Sequence, residues 1–264
     1  MSVSPAVWQG TMLAVGLASA LPLAATWWLA SRPHLTALWV PRLIFVASGA
    51  LFGAALFHLI PESLVVSSYA WVATLVLVGI GALALMERAV HAMEPGVLAA
   101  ATARPAPALP MHSALGHASH LMPLGIASDA LHNMIDGALV ATAFLADPSL
   151  GIFAGVAIAV HELPRELGTF ALCVQGGMSP YRAILVNAAT GVLAMAGALL
   201  ALAVGADAQR FGALLLPFAA GNFLYLAVAI LWAKRSAHRS PERLRLIGLV
   251  MAGVVITSFL AIGR

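Results

Sequence analysis

The sequence has 264 residues, 62% of them apolar and 9% charged, with a formal net charge of +3 at pH 7. Ordinary soluble domains carry about 25% charged residues, so a soluble globule of this size is excluded. The mean hydropathy of +0.98 also excludes a disordered chain, which needs low hydrophobicity and high net charge. An all-α polytopic membrane protein remains. The excess of thirteen basic over ten acidic residues is too small to imply nucleic acid as a partner.

The N-terminal stretch MSVSPAVWQG lacks the basic region of a cleavable signal peptide, so the first apolar segment is expected to be retained. A helix crosses the hydrocarbon core with roughly 20 apolar residues. Eight segments meet that requirement, at about 6–30, 39–60, 69–86, 121–145, 150–174, 180–204, 211–233 and 244–262. They are read as one transmembrane domain over 1–264, an eight-helix bundle. Ser31-Arg32-Pro33-His34 ends the first segment and Pro61-Glu62-Ser63 the second. Asp147-Pro148 separates the fourth and fifth, Met178-Ser179-Pro180 the fifth and sixth, and Lys234 to Arg245 the seventh and eighth.

Basic residues orient this bundle. The loops after the odd segments hold Arg32, Arg42, Arg88, Arg104, Arg182, Lys234, Arg235, Arg239, Arg243 and Arg245, ten in all, and the opposite side holds Arg210 and Arg264. The positive-inside rule then places the odd loops in the cytoplasm and both termini outside; a bacterial inner (plasma) membrane is the expected location. Cys173 is the only cysteine, so neither an intramolecular disulfide nor a cysteine-based metal finger is expected. The third loop, about 87–120, is rich in Ala and Pro and is expected to be largely unstructured. It carries His91, His112, His117 and His120. Loose metal capture by His112, His117 and His120 and a plain solvated linker are both open readings. Gly49-x3-Gly53 and Gly151-x3-Gly155 are read as helix-packing positions, where backbones approach closely.

Ionisable groups near the membrane centre cost roughly 2.5–3.5 kcal/mol each, yet two segments collect them. In the fourth, Asp129, His132, Asn133 and Asp136 stand at i, i+3, i+4 and i+7, on one helical face. In the fifth, His161 and Arg165 share a stripe and Glu162 and Glu166 the adjacent one. Eight ionisable or amide groups on two consecutive helices exceed what packing alone explains. Imidazole with carboxylate is a ligand set for zinc, iron and manganese. Pro164 cannot donate to the carbonyl of Val160 and is expected to kink the helix there. The second segment adds His58 and Glu62 at i, i+4 near its outer end. Cation reception and an interfacial cap are equally open for that pair.

At these residues the sequence resembles the ZIP family of divalent-metal transporters, in the branch whose fourth span carries HNFxDG and whose fifth carries HExPHExGD. The matching stretches are His132-Asn133-Met134-Ile135-Asp136-Gly137 and His161-Glu162-Leu163-Pro164-Arg165-Glu166-Leu167-Gly168-Thr169. His58-Leu59-Ile60-Pro61-Glu62 resembles that branch's second-span HLxPE, and Ala220-Gly221-Asn222-Phe223-Leu224-Tyr225 its seventh-span AGxFLY. The resemblance implies a two-metal site. Its first position draws on His132, Asp136, His161 and residue 165; its second draws on Asn133, Glu162, residue 165 and a sixth-span polar group, Asn187. It also implies an elevator-like or rocking movement. Taken together, His132, Asn133, Asp136, His161, Glu162 and Glu166 are the expected metal residues. His58, Glu62, Asp129, Arg165 and Asn187 are expected as pathway or accessory groups.

Two departures from the pattern matter: Arg165 replaces the family's histidine and Thr169 its aspartate. Arginine stays protonated and cannot ligate a metal. Arg165 is therefore expected to stand in for one of two cations, pairing with Glu162 or Asp136. That leaves a single-cation site on His132, Asp136 and His161. The resulting expectation is a transporter, not an enzyme, that moves Zn2+ into the cytoplasm, with Fe2+ and Mn2+ as alternatives. The metal is cargo and no prosthetic group is expected. The other expected partner is the lipid bilayer, with a homodimer left open. Two competing classes are a metal sensor or scaffold without flux and an intramembrane zinc protease. The protease reading is weakened because the second His of HExxH is Arg165.

Overall fold

The computed structural model describes residues 3–92, 121–205, 208–234 and 240–262, and among these every regular element is helical. In chain order they are α1 (Pro5–Ala30), α2 (Pro33–Ala54), a π-helical turn (Ala55–Leu59), α3 (Ile60–Val66), α4 (Tyr69–Ala92), α5 (Leu121–Ala146), α6 (Pro148–Gln175), α7 (Pro180–Val204), α8 (Ala208–Lys234) and α9 (Ser240–Ile262). His112, His117 and His120 lie outside the described residues.

Several helix starts follow from proline at the first helical position, where the missing N–H has no intrahelical partner to lose. Pro5, Pro33, Pro148 and Pro180 all sit there. Side-chain caps reinforce three of these starts. Ser4 Oγ accepts from Val7 N–H at 3.4 Å, and Ser179 Oγ accepts from Arg182 N–H at 3.4 Å. Asp147 Oδ1 accepts from the N–H of Ser149 at 2.7 Å and of Leu150 at 3.3 Å. Those two bonds hold the exposed Asp147 carboxyl below the usual carboxylate range.

The second helix corrects one expectation, because it does not stop at Pro61. Pro61 offers no N–H to a carbonyl one turn earlier. The π turn shifts the register just ahead of it, and Ile60 N–H reaches back to the Ala55 carbonyl. The rod thus continues through Val66. Such turns mark functional positions more often than chance, and this one carries His58. Pro164 is also accommodated, and α6 runs unbroken through it.

Among the described residues, five helices are long and apolar enough to cross a membrane: α1, the α2–α3 rod, α4, α7 and α8. Helices α5 and α6 have 26 and 28 residues, and their ionisable groups keep them off that count. The chain is a multi-pass membrane protein with an all-α fold.

Packing divides the helices into two sets. Helix α5 packs chiefly against α7 and α6, and α1 against α6 and α7; in the other set α2 packs chiefly against α9, and α4 against α8. The sets meet where α2 lies on α6 and α5 on α8. Glycines set the close pairs, since lipid leaves van der Waals fit as the main force between helices. A Cβ at Gly137 would strike the Ala194 carbonyl, and one at Gly197 the Met134 carbonyl, so α5 and α7 touch backbone to backbone. Gly49 and Gly53 serve α2 against α9 in the same way, and Gly155 receives Ala14 of α1.

Candidate functional site

The polar faces of α5 and α6 meet in the interior, beside the π turn of the second rod. Asp129, His132, Asn133, Asp136, Glu162, Arg165 and Glu166 are all buried. Their side chains sort into two adjoining clusters.

The first cluster gathers His132 and Asp136 from α5 with His161 and Glu162 from α6. Each offers a ligand atom, and these four atoms lie within 4.8 Å of one another. His161 Nε2 stands 2.9 Å from Asp136 Oδ2 and 3.7 Å from Glu162 Oε1. His132 Nε2 stands 3.4 Å from Asp136 Oδ2 and 3.7 Å from Glu162 Oε1. Ligands bound 2.0–2.1 Å from a tetrahedral zinc ion stand roughly 3.4 Å apart. The separations here bracket that edge length. Neither ring nitrogen of His132 makes a hydrogen bond, although the residue is 1% exposed. A buried imidazole left this way carries a desolvation cost that a bound cation would remove. Phe223 of α8 packs against its ring, with centroids 4.6 Å apart.

A graded path leads to this cluster from the π turn. Glu62 is 38% exposed, and its Oε2 lies 3.4 Å from Nδ1 of His58, itself 14% exposed. The His58 ring is 5.7 Å from that of His161, which in turn is 5.7 Å from His132. Exposure falls to 11% at His161 and 2% at the His132 side chain.

The second cluster is organised by Arg165. Its Nη1 donates to Asp129 Oδ1, its Nη2 to Glu162 Oε2, and its Nε to Glu162 Oε1 at 2.8 Å. Nη2 also lies 3.6 Å from Glu166 Oε1. Asn133 Nδ2 donates to Glu166 Oε1 at 3.2 Å and to Asp129 Oδ2 at 3.4 Å, and Thr169 Oγ1 donates to Asp129 Oδ1 at 3.1 Å. Asn187 of α7 donates to the backbone carbonyl of Glu166 at 2.9 Å. Beyond this cluster lies a cavity of about 20 Å³, bordered by Ser128, Asp129, Arg165, Gly168 and Thr169 and by apolar Ile44, Leu51 and Phe223. It has room for one water.

Sequence spacing places the eight polar groups together but divides them differently. Arg165 takes Glu162 and not Asp136, and it adds Asp129 and Glu166. Glu162 joins the histidine cluster, whereas Asn133, Glu166 and Asn187 lie with the guanidinium. The Phe223 contact carries no spacing signal, although its segment matches a family motif. Thr169, where the family has aspartate, supplies a hydroxyl donor to Asp129.

The family model described as "ZIP Zinc transporter" matches residues 112–261, more than half of the chain. Zinc transporter ZIP4 of Homo sapiens is 38% identical over 114 residues, covering 43% of this chain and 18% of that protein. Zinc transporter zipt-7.2 of Caenorhabditis elegans is 37% identical over 108 residues, covering 39% and 23%. Zinc transporter SLC39A7 of Canis lupus familiaris is 33% identical over 147 residues, covering 52% and 31%. The chain thus spans less than a third of the length of each of these relatives. With the family match extending over the helices that bear both clusters, the chain belongs to the ZIP zinc transporter family.

Proposed function

We propose that this chain carries a divalent transition-metal cation, Zn2+ before Fe2+ or Mn2+, across the membrane into the cytoplasm. The cation is held in passage by His132, Asp136, His161 and Glu162. The observation that carries this reading is the mutual approach of four buried or nearly buried ligand atoms within 4.8 Å. Two neutral imidazoles and two carboxylates suit a borderline cation, and the family and the named relatives are zinc transporters. With both termini outside, as the basic loops require, the Glu62–His58 end faces the periplasm and receives the ion. The cavity beyond Arg165 faces the cytoplasm. Movement of the α1, α5, α6 and α7 set against the α2–α3 rod, α4, α8 and α9 would expose the site alternately.

The intramembrane protease reading needs Glu162 as a free base beside two helical histidines. Both Glu162 oxygens instead accept from Arg165. Uptake of a metal panel into liposomes containing the purified chain tests the transport reading. His132→Ala and His161→Ala are each expected to abolish Zn2+ accumulation. Unchanged uptake in both variants refutes the site. Saturable binding without accumulation in the wild type refutes transport and leaves a sensor or scaffold.

A further inference from the structure

We infer that Arg165 is a tethered cation that restricts the pathway to one divalent ion at a time and sets how tightly that ion is held. The inference rests on the four-residue cation site proposed above and asks what the neighbouring cluster does to it.

The argument starts from charge. Asp129, Asp136, Glu162 and Glu166 are the acids of α5 and α6 within the buried site, and all are buried. Four adjacent carboxylates in a region of low dielectric need compensating positive charge nearby. The guanidinium supplies one unit, and it contacts Asp129, Glu162 and Glu166 at once. Asp136 is the acid that it leaves to the two imidazoles. One divalent ion beside the guanidinium brings the total to +3 against −4. A second would bring it to +5 against −4 and press two mobile cations against a fixed one. The site is thus one unit negative with one ion and would be one unit positive with two, so a second cation would enter against an excess of positive charge. Most of the carboxylate oxygens suited to a second ion are already committed, because Asn133, Thr169 and Arg165 together donate to both oxygens of Asp129 and to Oε1 of Glu166, which leaves Glu166 Oε2 without a hydrogen bond.

Glu162 joins the two clusters. Its Oε1 lies 3.7 Å from Nε2 of both His132 and His161, and the same oxygen accepts from Arg165 Nε at 2.8 Å. An ion in the first cluster shares that carboxylate with a permanent competitor. The fixed positive charge on that shared carboxylate repels the ion and cancels part of the charge facing it, so affinity falls and release speeds up. Arg165 is thus a positioning residue that acts on the ion through Glu162.

Equilibrium dialysis of the purified full chain against Zn2+ tests the count. Site ions are taken as the difference between a given chain and the same chain carrying His132→Ala, Asn133→Ala, His161→Ala and Glu162→Ala, which removes ligands of both positions and subtracts metal held elsewhere. The expected difference is one for the wild type and one for Arg165→Lys, which keeps the charge. It is two for Arg165→His, with the tighter ion bound about tenfold more strongly than in the wild type because the fixed charge is gone. A difference of two in the wild type overturns the inference. So does a difference of one in Arg165→His with unchanged affinity. If Arg165→His does not fold, the wild-type count decides alone between one and two. A difference of zero in the wild type instead removes the cation site on which the inference rests.

Discussion

The two clusters are built from the same materials and behave as opposites. Each has an α5 aspartate facing a basic residue of α6: Asp136 meets His161, and Asp129 meets Arg165. The aspartates are two helical turns apart and the basic residues one turn apart. An imidazole can give up its proton and ligate, whereas a guanidinium cannot. The outer cluster therefore keeps at His132 an imidazole that makes no hydrogen bond, while the inner one is hydrogen-bonded within itself except at Glu166 Oε2. One type of helix pairing yields the proposed place for a mobile ion and, one turn away, a place already filled. What separates them is the protonation chemistry of residues 161 and 165.

The largest expected effect comes from breaking the inner cluster. Arg165→Met removes the guanidinium but keeps most of its volume. Three carboxylates are then left without their cation, and removing one partner of a buried ion pair costs about 3–5 kcal/mol. Thermal unfolding in detergent is expected to show that loss in metal-free buffer. If Arg165→Met melts with the wild type, the inner cluster is not held together by its cation and the contrast between the two clusters fails.

How much of this could be read in the sequence depends on the kind of contact. The helices are legible because apolar length and proline at helix starts are local signals, as at Pro148 and Pro180. The end of the second rod is not, since Pro61 reads as a stop and only the π register ahead of it lets the helix continue. The polar face of α5 is legible from i, i+3, i+4 and i+7 spacing. Which groups pair across helices is not. Rotation of α6 against α5 brings Glu162 to the histidines and sends Glu166 to Asn133, and no spacing along one chain segment encodes that rotation. The same limit hides Phe223 against His132.

A smaller effect sharpens the outer side of the comparison. His58 lies between partly exposed Glu62 and His161 but outside the four-atom cluster. His58→Ala is expected to raise the KM for Zn2+ uptake about tenfold, near 1.4 kcal/mol. Its kcat and melting temperature are expected to stay close to wild type, because the residue is on the path and not in the packing of the inner cluster. A fall in kcat with no change in KM would move His58 from reception to the transport movement itself.

The smallest effect concerns Thr169. Its hydroxyl donates to Asp129 Oδ1 at 3.1 Å, and Thr169→Val removes that bond with little change of shape. Asp129 retains Arg165 and Asn133 as donors, so no bare charge is left behind. The expected loss is therefore only that of one hydrogen bond to a charged group already served by others, about 1 kcal/mol, read as a lowered melting temperature. Zn2+ affinity and uptake are expected to be unchanged, since Asp129 does not belong to the four-atom set around His132. His58→Ala and Thr169→Val then form a pair: one moves uptake without stability, the other stability without uptake. If Thr169→Val lowers uptake as far as His161→Ala does, the ion passes through the inner cluster. Arg165 must then swing aside in each cycle instead of standing as fixed charge.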